Sequence, residues 1–479
     1  MEHGSAQDIG SEFRAEIEGL TERLKADLSA AFRELDTKVA LPQNADEALA
    51  ALEEPLPIKG CGMQRTLDAL LEFNRKAGAN TGGPKCFHFV IGGSTPAAVG
   101  ADLLATVYET IPYTWVISPL GVRMELQALK WLREMFGLPL DWSGVMVTGA
   151  SMANLVCLAS ARQWWAEQLG FDVADRGLAG LPQMPVLSSG YVHASSRKVL
   201  GLLGVGYNQV SVHARDSFGR VDLEAMARHL ESLDGTPAVM IVNAGEVNAG
   251  DFDPVNAMID LAREHNVWVH VDGAFGLFAR LSPRTAHLVE GVERADSVTV
   301  DGHKWLNVPY DSGYAFVRDH ALMSKAFRYA ADYLPAEDDP RPTLGAIGPE
   351  SSRRGRCFAV WATLKAYGRE GHARIVEHCL DLAQHAGRLV EDAPDLELMA
   401  PVQLNIVPFR YVRPGLDDEQ LDRLNRKLGE EVLADGRFLV GTSRLGARTI
   451  FRPAFSNWRT RLEDVQAFIS VVRELGRAA

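Results

Sequence analysis

A chain of 479 residues with 47% hydrophobic and 23% charged side chains, 43 Gly and 23 Pro has the composition of an ordinary globular protein, which excludes a collagenous, low-complexity or disordered chain. At ~150 residues per domain the length suggests about three units, or one large domain with two smaller attachments. The 49 basic and 62 acidic side chains leave a formal charge of −13, so there is no general electrostatic footprint for nucleic acid or an anionic membrane. Five scattered cysteines, Cys61, Cys86, Cys157, Cys357 and Cys379, show no CxxC pair and no metal-ligand spacing; neither a disulfide framework nor a metal site is expected. The N-terminal MEHGSAQDIG lacks the basic and apolar stretches of a secretory signal, and no apolar run approaches the ~20 residues that cross a bilayer. The expected setting is a reducing cytoplasm.

In chain order, the spacing of Phe13, Ile17, Leu20, Leu24, Leu28, Phe32 and Leu35 predicts helix, and residues 1–79 read as an N-terminal helical segment. The Gly- and Pro-rich NTGGP at 80–84 is a loop that marks a boundary. Between about 143 and 318 seven strand-like runs follow: VMVT, PVLSS, VSVHA, AVMIVNA, VWVHVD, SVTVD and YAFVR. Amphipathic helices separate several of them, one opened by Asp253-Pro254 as cap and first-turn proline. Alternating strands and helices predict a large α/β domain, 80–365, around a mostly parallel sheet covered on both faces. A helix from about Gly355 to Val390 leads into strand LNIVPFRYV, helix DEQLDRLNRKLGEEVL, strand-like RFLVG and ARTIFRPAF, and helix LEDVQAFISVVREL. Residues 366–479 thus comprise a helical connection and a small α+β domain.

Three segments carry chemistry. In VWVHVDGAFG a buried-looking strand delivers Asp272 to its C-terminal end, where open α/β sheets bind ligands, with Gly273 and Ala274 following; alone, such a carboxylate is as readily a turn cap. In SVTVDGHKWLNV a second strand ends before His303-Lys304-Trp305, and a lysine among aromatic and apolar neighbours is a candidate amine nucleophile, since desolvation lowers its pKa. In VMVTGASMANL, Gly149, Ala150 and Ser151 stand between a strand and a helix N-terminus, where free N–H groups and the helix dipole favour a phosphate. No GxGxxG follows a strand, which disfavours a dinucleotide-binding protein.

Together these segments resemble the group II amino-acid decarboxylases among the fold type I pyridoxal phosphate (PLP) enzymes, the family of aromatic amino-acid, histidine and glutamate decarboxylases. The paired HVDGA and HKW motifs carry the resemblance, which is densest between 80 and 365. It implies that Lys304 condenses with the cofactor aldehyde and that Asp272 keeps the pyridine nitrogen protonated, so that the ring accepts the electrons left by departing CO2. It implies a phosphate held by Ala150, Ser151 and His303, a stacking His193 in SSGYVHASSRK, and further cofactor contacts from Asn243 and Ala274. Tyr333, in the loop AADYLPAEDDPRP, resembles the tyrosine that reaches a neighbouring subunit's site as general acid. A homodimer with shared active sites is therefore expected. Met152, Asn243 and Glu246 depart from the family, where Glu, Thr and Thr are common at these places.

By the same resemblance, Phe89, Val90, Ile91, Ile111, Tyr113 and Trp115 wall an apolar substrate pocket and Arg452 in TIFRPAF handles the substrate; structurally, they read equally as core and a salt-bridge partner. Arg356 in SSRRGRCF matches another family arginine on the same terms. The expectation is decarboxylation of an aromatic or bulky hydrophobic L-amino acid to its amine. The alternatives are a decarboxylation-dependent aldehyde synthase or a PLP carbon–carbon lyase, with a non-enzymatic scaffold disfavoured. Relatives that make aldehydes tend to replace the tyrosine or the stacking histidine, and both are retained here.

Overall fold

The computed structural model describes residues 9–43, 45–329 and 341–479. All seven strand-like runs of the large domain form one sheet: β1 (Ser143–Val147), β2 (Val186–Ser188), β3 (Val210–Val212), β4 (Ala238–Asn243), β5 (Val267–Asp272), β6 (Ser297–Asp301) and β7 (Gly313–Val317). Their order is β1-β7-β6-β5-β4-β2-β3, and only β7 runs antiparallel to its neighbours. Strands β4 to β7 are buried at every residue, which explains their mostly apolar runs. The pleat sends alternate residues to two cores. Val145, Val147, Val239 and Ile241 pack beneath the helix Ala150–Gln168, whereas Met146, Met240 and Val242 join a larger cluster with the helix Cys357–Glu391.

Local chemistry sets the helix ends. Ser118 caps the helix Pro119–Phe136 through Gly121 N (3.3 Å), and Gly137 closes it at φ 71°. One expected cap is different: the helix Val255–Arg263 opens at Pro254 without a side-chain cap, because the Asp253 carboxylate turns inward to Asn243 and Ser189. The helix Cys357–Glu391 spans the predicted stretch but breaks at Gly368 (φ 62°, ψ −174°).

The C-terminal sheet is antiparallel, in the order β10-β11-β9-β8, from β8 (Leu396–Leu398), β9 (Phe409–Tyr411), β10 (Thr442–Leu445) and β11 (Arg448–Phe451). Two expected strands differ. Of LNIVPFRYV only Phe409–Tyr411 enters the sheet, since Pro408 immediately before it has no N–H for a ladder. RFLVG pairs instead with the large domain: Phe87 N donates to Leu439 O (2.8 Å) and Leu439 N to Lys85 O (3.1 Å). This clamps the small domain beside the 87–95 segment.

A buried ion pair supports β1. Arg353 donates to Glu125 Oε1 (2.8 Å) and Met146 O (2.7 Å), and Glu125 Oε1 also accepts from Met146 N (2.9 Å). Both side chains are almost fully buried, so Glu125→Ala leaves a buried guanidinium uncompensated and is expected to cost about 3–5 kcal/mol in denaturant unfolding. A loss under about 1 kcal/mol would show that water replaces the carboxylate.

Candidate active site

The C-terminal ends of β1, β4, β5 and β6 converge on a cavity of about 370 Å³, lined among others by Gly149, Ala150, Ser151, His193, Asn243, Asp272, Ala274, His303 and Lys304. All eight expected cofactor contacts are on this wall. Parallel register puts Asn243 beside Asp272, so two polar side chains reach the same edge from adjacent strands. β6 ends in a π-helical turn, Gly302–Leu306, that projects His303 and Lys304. Gly92 packs against that turn, where a Cβ would lie 1.5 Å from Lys304 O, so no larger residue fits.

Lys304 Nζ lies 3.0 Å from Asp301 Oδ2 and 5.7 Å from the centre of the Phe275 ring. Asp301 also accepts from Ala150 N (2.5 Å) at the start of the 150–168 helix. The His303 ring is stacked on Tyr310 at 4.1 Å, and its Nδ1 accepts from Ser312 N (3.3 Å), which leaves the proton on Nε2. Burial holds the His303 pKa below its ordinary value and keeps the ring neutral. His193 is the N-cap of the helix Ala194–Leu202: its Nδ1 accepts from Ser195 N (3.2 Å), so Nε2 carries its proton too. Asp272 accepts from Asn154 Nδ2 (3.0 Å), Ser196 Oγ (3.4 Å) and Ala274 N (3.3 Å). Asn243 lines the cavity but spends its amide on Asp253, Ser188 and Ser189.

Asp253 beneath it has a pH signature. Oδ2 takes the three donors from Asn243 N, Asn243 Nδ2 and Ser189, Oδ1 is buried without a partner, and burial pushes the carboxyl up to about 6 from an ordinary 3.8. A raised carboxyl means the folded chain holds this proton more tightly than the unfolded chain. Its stabilisation is therefore full below pH 3.8 and lost as pH rises through 6, on the order of 3 kcal/mol. Asp253→Asn is expected to flatten that component of the melting midpoint between pH 4 and 7; an unchanged slope assigns it elsewhere.

The expected substrate residues lie outside this wall as the described residues draw it. Phe89 is exposed at 63%, and Ser456 bonds Ile91 O, placing both beside the lysine turn. Ile111 and Tyr113 lie farther off, near Gly345 and Arg353. Arg452 is buried, donates to Phe89 O (3.1 Å), and is held down to about 10 by burial, with the Glu246 charge opposing that shift. Arg356 is an ion-pair partner of Asp311 and Glu350. Tyr333 lies outside the described residues. Asp301, Tyr191, Ser195 and Tyr310 line the cavity without having been singled out in the sequence; Asp301, an acid closing a buried strand three residues before Lys304, carried the one readable signal.

These groups fit PLP. The wall combines a reachable amine, a buried carboxylate, and the N-terminus of the 150–168 helix, whose dipole favours an anion. Gly149 completes the phosphate end, since a Cβ there would meet His303 Cε1 at 3.0 Å. The sheet and this site define a fold type I PLP enzyme. Residues 50–412 match the pyridoxal-dependent decarboxylase conserved domain, and the chain belongs to that family. An aromatic-L-amino-acid decarboxylase of Bacillus atrophaeus is 31% identical over 400 residues, 82% of this chain and 81% of that protein. The cysteine sulfinic acid decarboxylase of Homo sapiens is 28% identical over 416 residues, 83% of each. Oryza sativa TDC, solved with PLP and tryptamine, has a TM-score of 0.86 over 100% of this chain and 99% of that one at 23% identity, a likeness of fold. The protein is a PLP-dependent amino-acid decarboxylase.

Proposed function

We propose that the substrate is an aromatic or bulky hydrophobic L-amino acid, converted to its amine and CO2. One observation carries this reading: among the described residues of the cavity wall the only Lys or Arg is Lys304, which the cofactor takes, so nothing there receives a distal carboxylate. Phe275, Val247 and Tyr310 on the wall, with Phe89 outside it, offer apolar surface instead. The Bacillus atrophaeus relative, named for aromatic substrates, supports the same reading.

Bound here, PLP supplies a ring that accepts the electron pair released when the carboxylate leaves. Lys304 Nζ would hold the cofactor until the substrate amine takes its place. The Asp272 carboxylate, an acceptor with three fixed donors, would face the pyridine nitrogen and favour a proton there. Ala150, Ser151 and His303 would take the phosphate, and His193 would stack on the ring, its orientation held by the bond from Ser195 N to Nδ1. Asn243 and Ala274 shape the ring's surroundings, and Phe89 and Ile91, beside the lysine turn, offer the substrate apolar surface. Tyr333 returns a proton to the carbon that lost CO2, which gives amine rather than aldehyde.

The working unit is a cytoplasmic homodimer with shared sites. Phe13, Ile17, Leu24 and Leu70 on the N-terminal helices are exposed, as are Val116, Ile117 and Leu120, more apolar surface than a solitary protomer leaves to water. Ranking kcat/KM over L-tryptophan, L-phenylalanine, L-tyrosine, L-leucine, L-glutamate and L-cysteine sulfinate tests the substrate class. An aromatic or leucine substrate is expected to lead by at least about tenfold, roughly the worth of one buried apolar group; a lead by either acidic substrate would contradict it.

A further inference from the structure

Behind the cavity, a file of side chains runs from Asp272 into the core, and each of its hydrogen bonds has a single direction. Asn154 Nδ2 is 3.0 Å from Asp272 Oδ2, and Asn154 Oδ1 is 2.8 Å from His270 Nε2. His270 Nδ1 is 2.9 Å from Ser297 Oγ, which is 3.1 Å from Trp268 Nε1. An indole only donates and an ionised carboxylate only accepts, so the direction at each end is fixed. Asn154 gives its amide N–H to the Asp272 carboxylate, so its Oδ1 faces His270 and accepts the ring proton from Nε2. The neutral ring then has a bare Nδ1, which accepts from the Ser297 hydroxyl, and Ser297 Oγ in turn accepts from Trp268. Turning the amide over would set its oxygen against the carboxylate. Asn154, His270 and Ser297 are fully buried, and burial holds His270 down to about 4, neutral and with one ring proton throughout the ordinary pH range.

We propose that Asn154 is a positioning residue: backed by His270 and Ser297, it holds the Asp272 carboxylate oriented toward the pyridine nitrogen, so that the proton of that ion pair stays on the ring. The inference rests on the assignment of Asp272 to that nitrogen. Donation to a carboxylate favours its charged form, and losing the donor moves the shared proton toward Asp272, leaving the ring a poorer electron acceptor. His270 and Asp272, two apart on β5, face the same side, which is why one helix residue reaches both. Nothing in the chemistry at the cavity wall requires a histidine at 270; the file supplies its task.

The test compares Asn154→Ala, Asn154→Asp, Ser297→Ala and Asp272→Asn. Two readouts are independent of turnover: the affinity of apoprotein for PLP, by absorbance titration, and the pH dependence of the bound cofactor's absorption spectrum. Asn154→Ala is expected to weaken PLP binding about tenfold, the worth of one charge-assisted hydrogen bond, and to lower kcat with KM little changed. Asn154→Asp sets a second carboxylate against Asp272, and the spectral transition is expected to move to higher pH. Ser297→Ala, which removes one hydroxyl and keeps the fold if the Asn154 variants do not, is expected to shift both readouts in the same sense by less. If Asp272→Asn changes both readouts while the Asn154 and Ser297 variants change only the melting temperature, the file is mere packing and the proposal is overturned. If Asp272→Asn itself changes neither, the assignment of Asp272 fails instead.

Discussion

Lys304→Ala is expected to lose the visible absorbance of bound cofactor and to cut amine formation by on the order of 10³-fold or more, while melting near the unsubstituted apoprotein. The size follows from the site. Lys304 is the only amine on the wall among the described residues, and its turn is fixed from outside by Gly92, whose N donates to His303 O (3.2 Å). No neighbour can move in to replace it. The side chain's sole ion-pair partner among the described residues is Asp301, which keeps its bond to Ala150 N when the lysine is gone, so the fold loses little. Retention of full cofactor absorbance would show that another amine holds the aldehyde.

Asp272→Asn keeps the shape and removes the charge. The expected result is a fall in kcat on the order of 10²–10³-fold, with KM changing far less, because an ionised acceptor at the ring nitrogen matters most once electrons enter the ring. The carboxylate is 7% exposed and meets three donors, so its loss also costs cofactor affinity. A cofactor analogue methylated at the ring nitrogen, permanently positive, is expected to restore part of the activity. Equal loss with the analogue would mean that Asp272 serves structure alone.

The large sheet was legible because its strands are buried on both faces, so that AVMIV and YAFV read as apolar runs, while VWVHVD and SVTVD are mostly apolar and end in a carboxylate. The site residues at those ends were legible for the same reason: chemistry at the C-terminal edge of a parallel sheet stands next to a strong pattern. The small domain was less so. Leu439 pairs with Lys85 and Phe87, a contact across some 350 residues of chain that no local periodicity records, and Pro408 cuts short a run that otherwise alternates well. Asp253 has the pattern of a cap, and its true partners, Asn243 and Ser189, sit at the ends of other strands. Asn154 and His270 looked like interior positions of a helix and a strand, because a hydrogen-bond file through the core has no sequence period.

The most direct measurement is CO2 release from a panel of L-amino acids by the purified, PLP-loaded protein, with the organic product identified by mass spectrometry. The expected result is CO2 and amine in equal amounts from an aromatic or bulky hydrophobic substrate, without aldehyde, ammonia or peroxide. Cofactor-loaded protein that releases no CO2 from any of them, or yields aldehyde in place of amine, would contradict it.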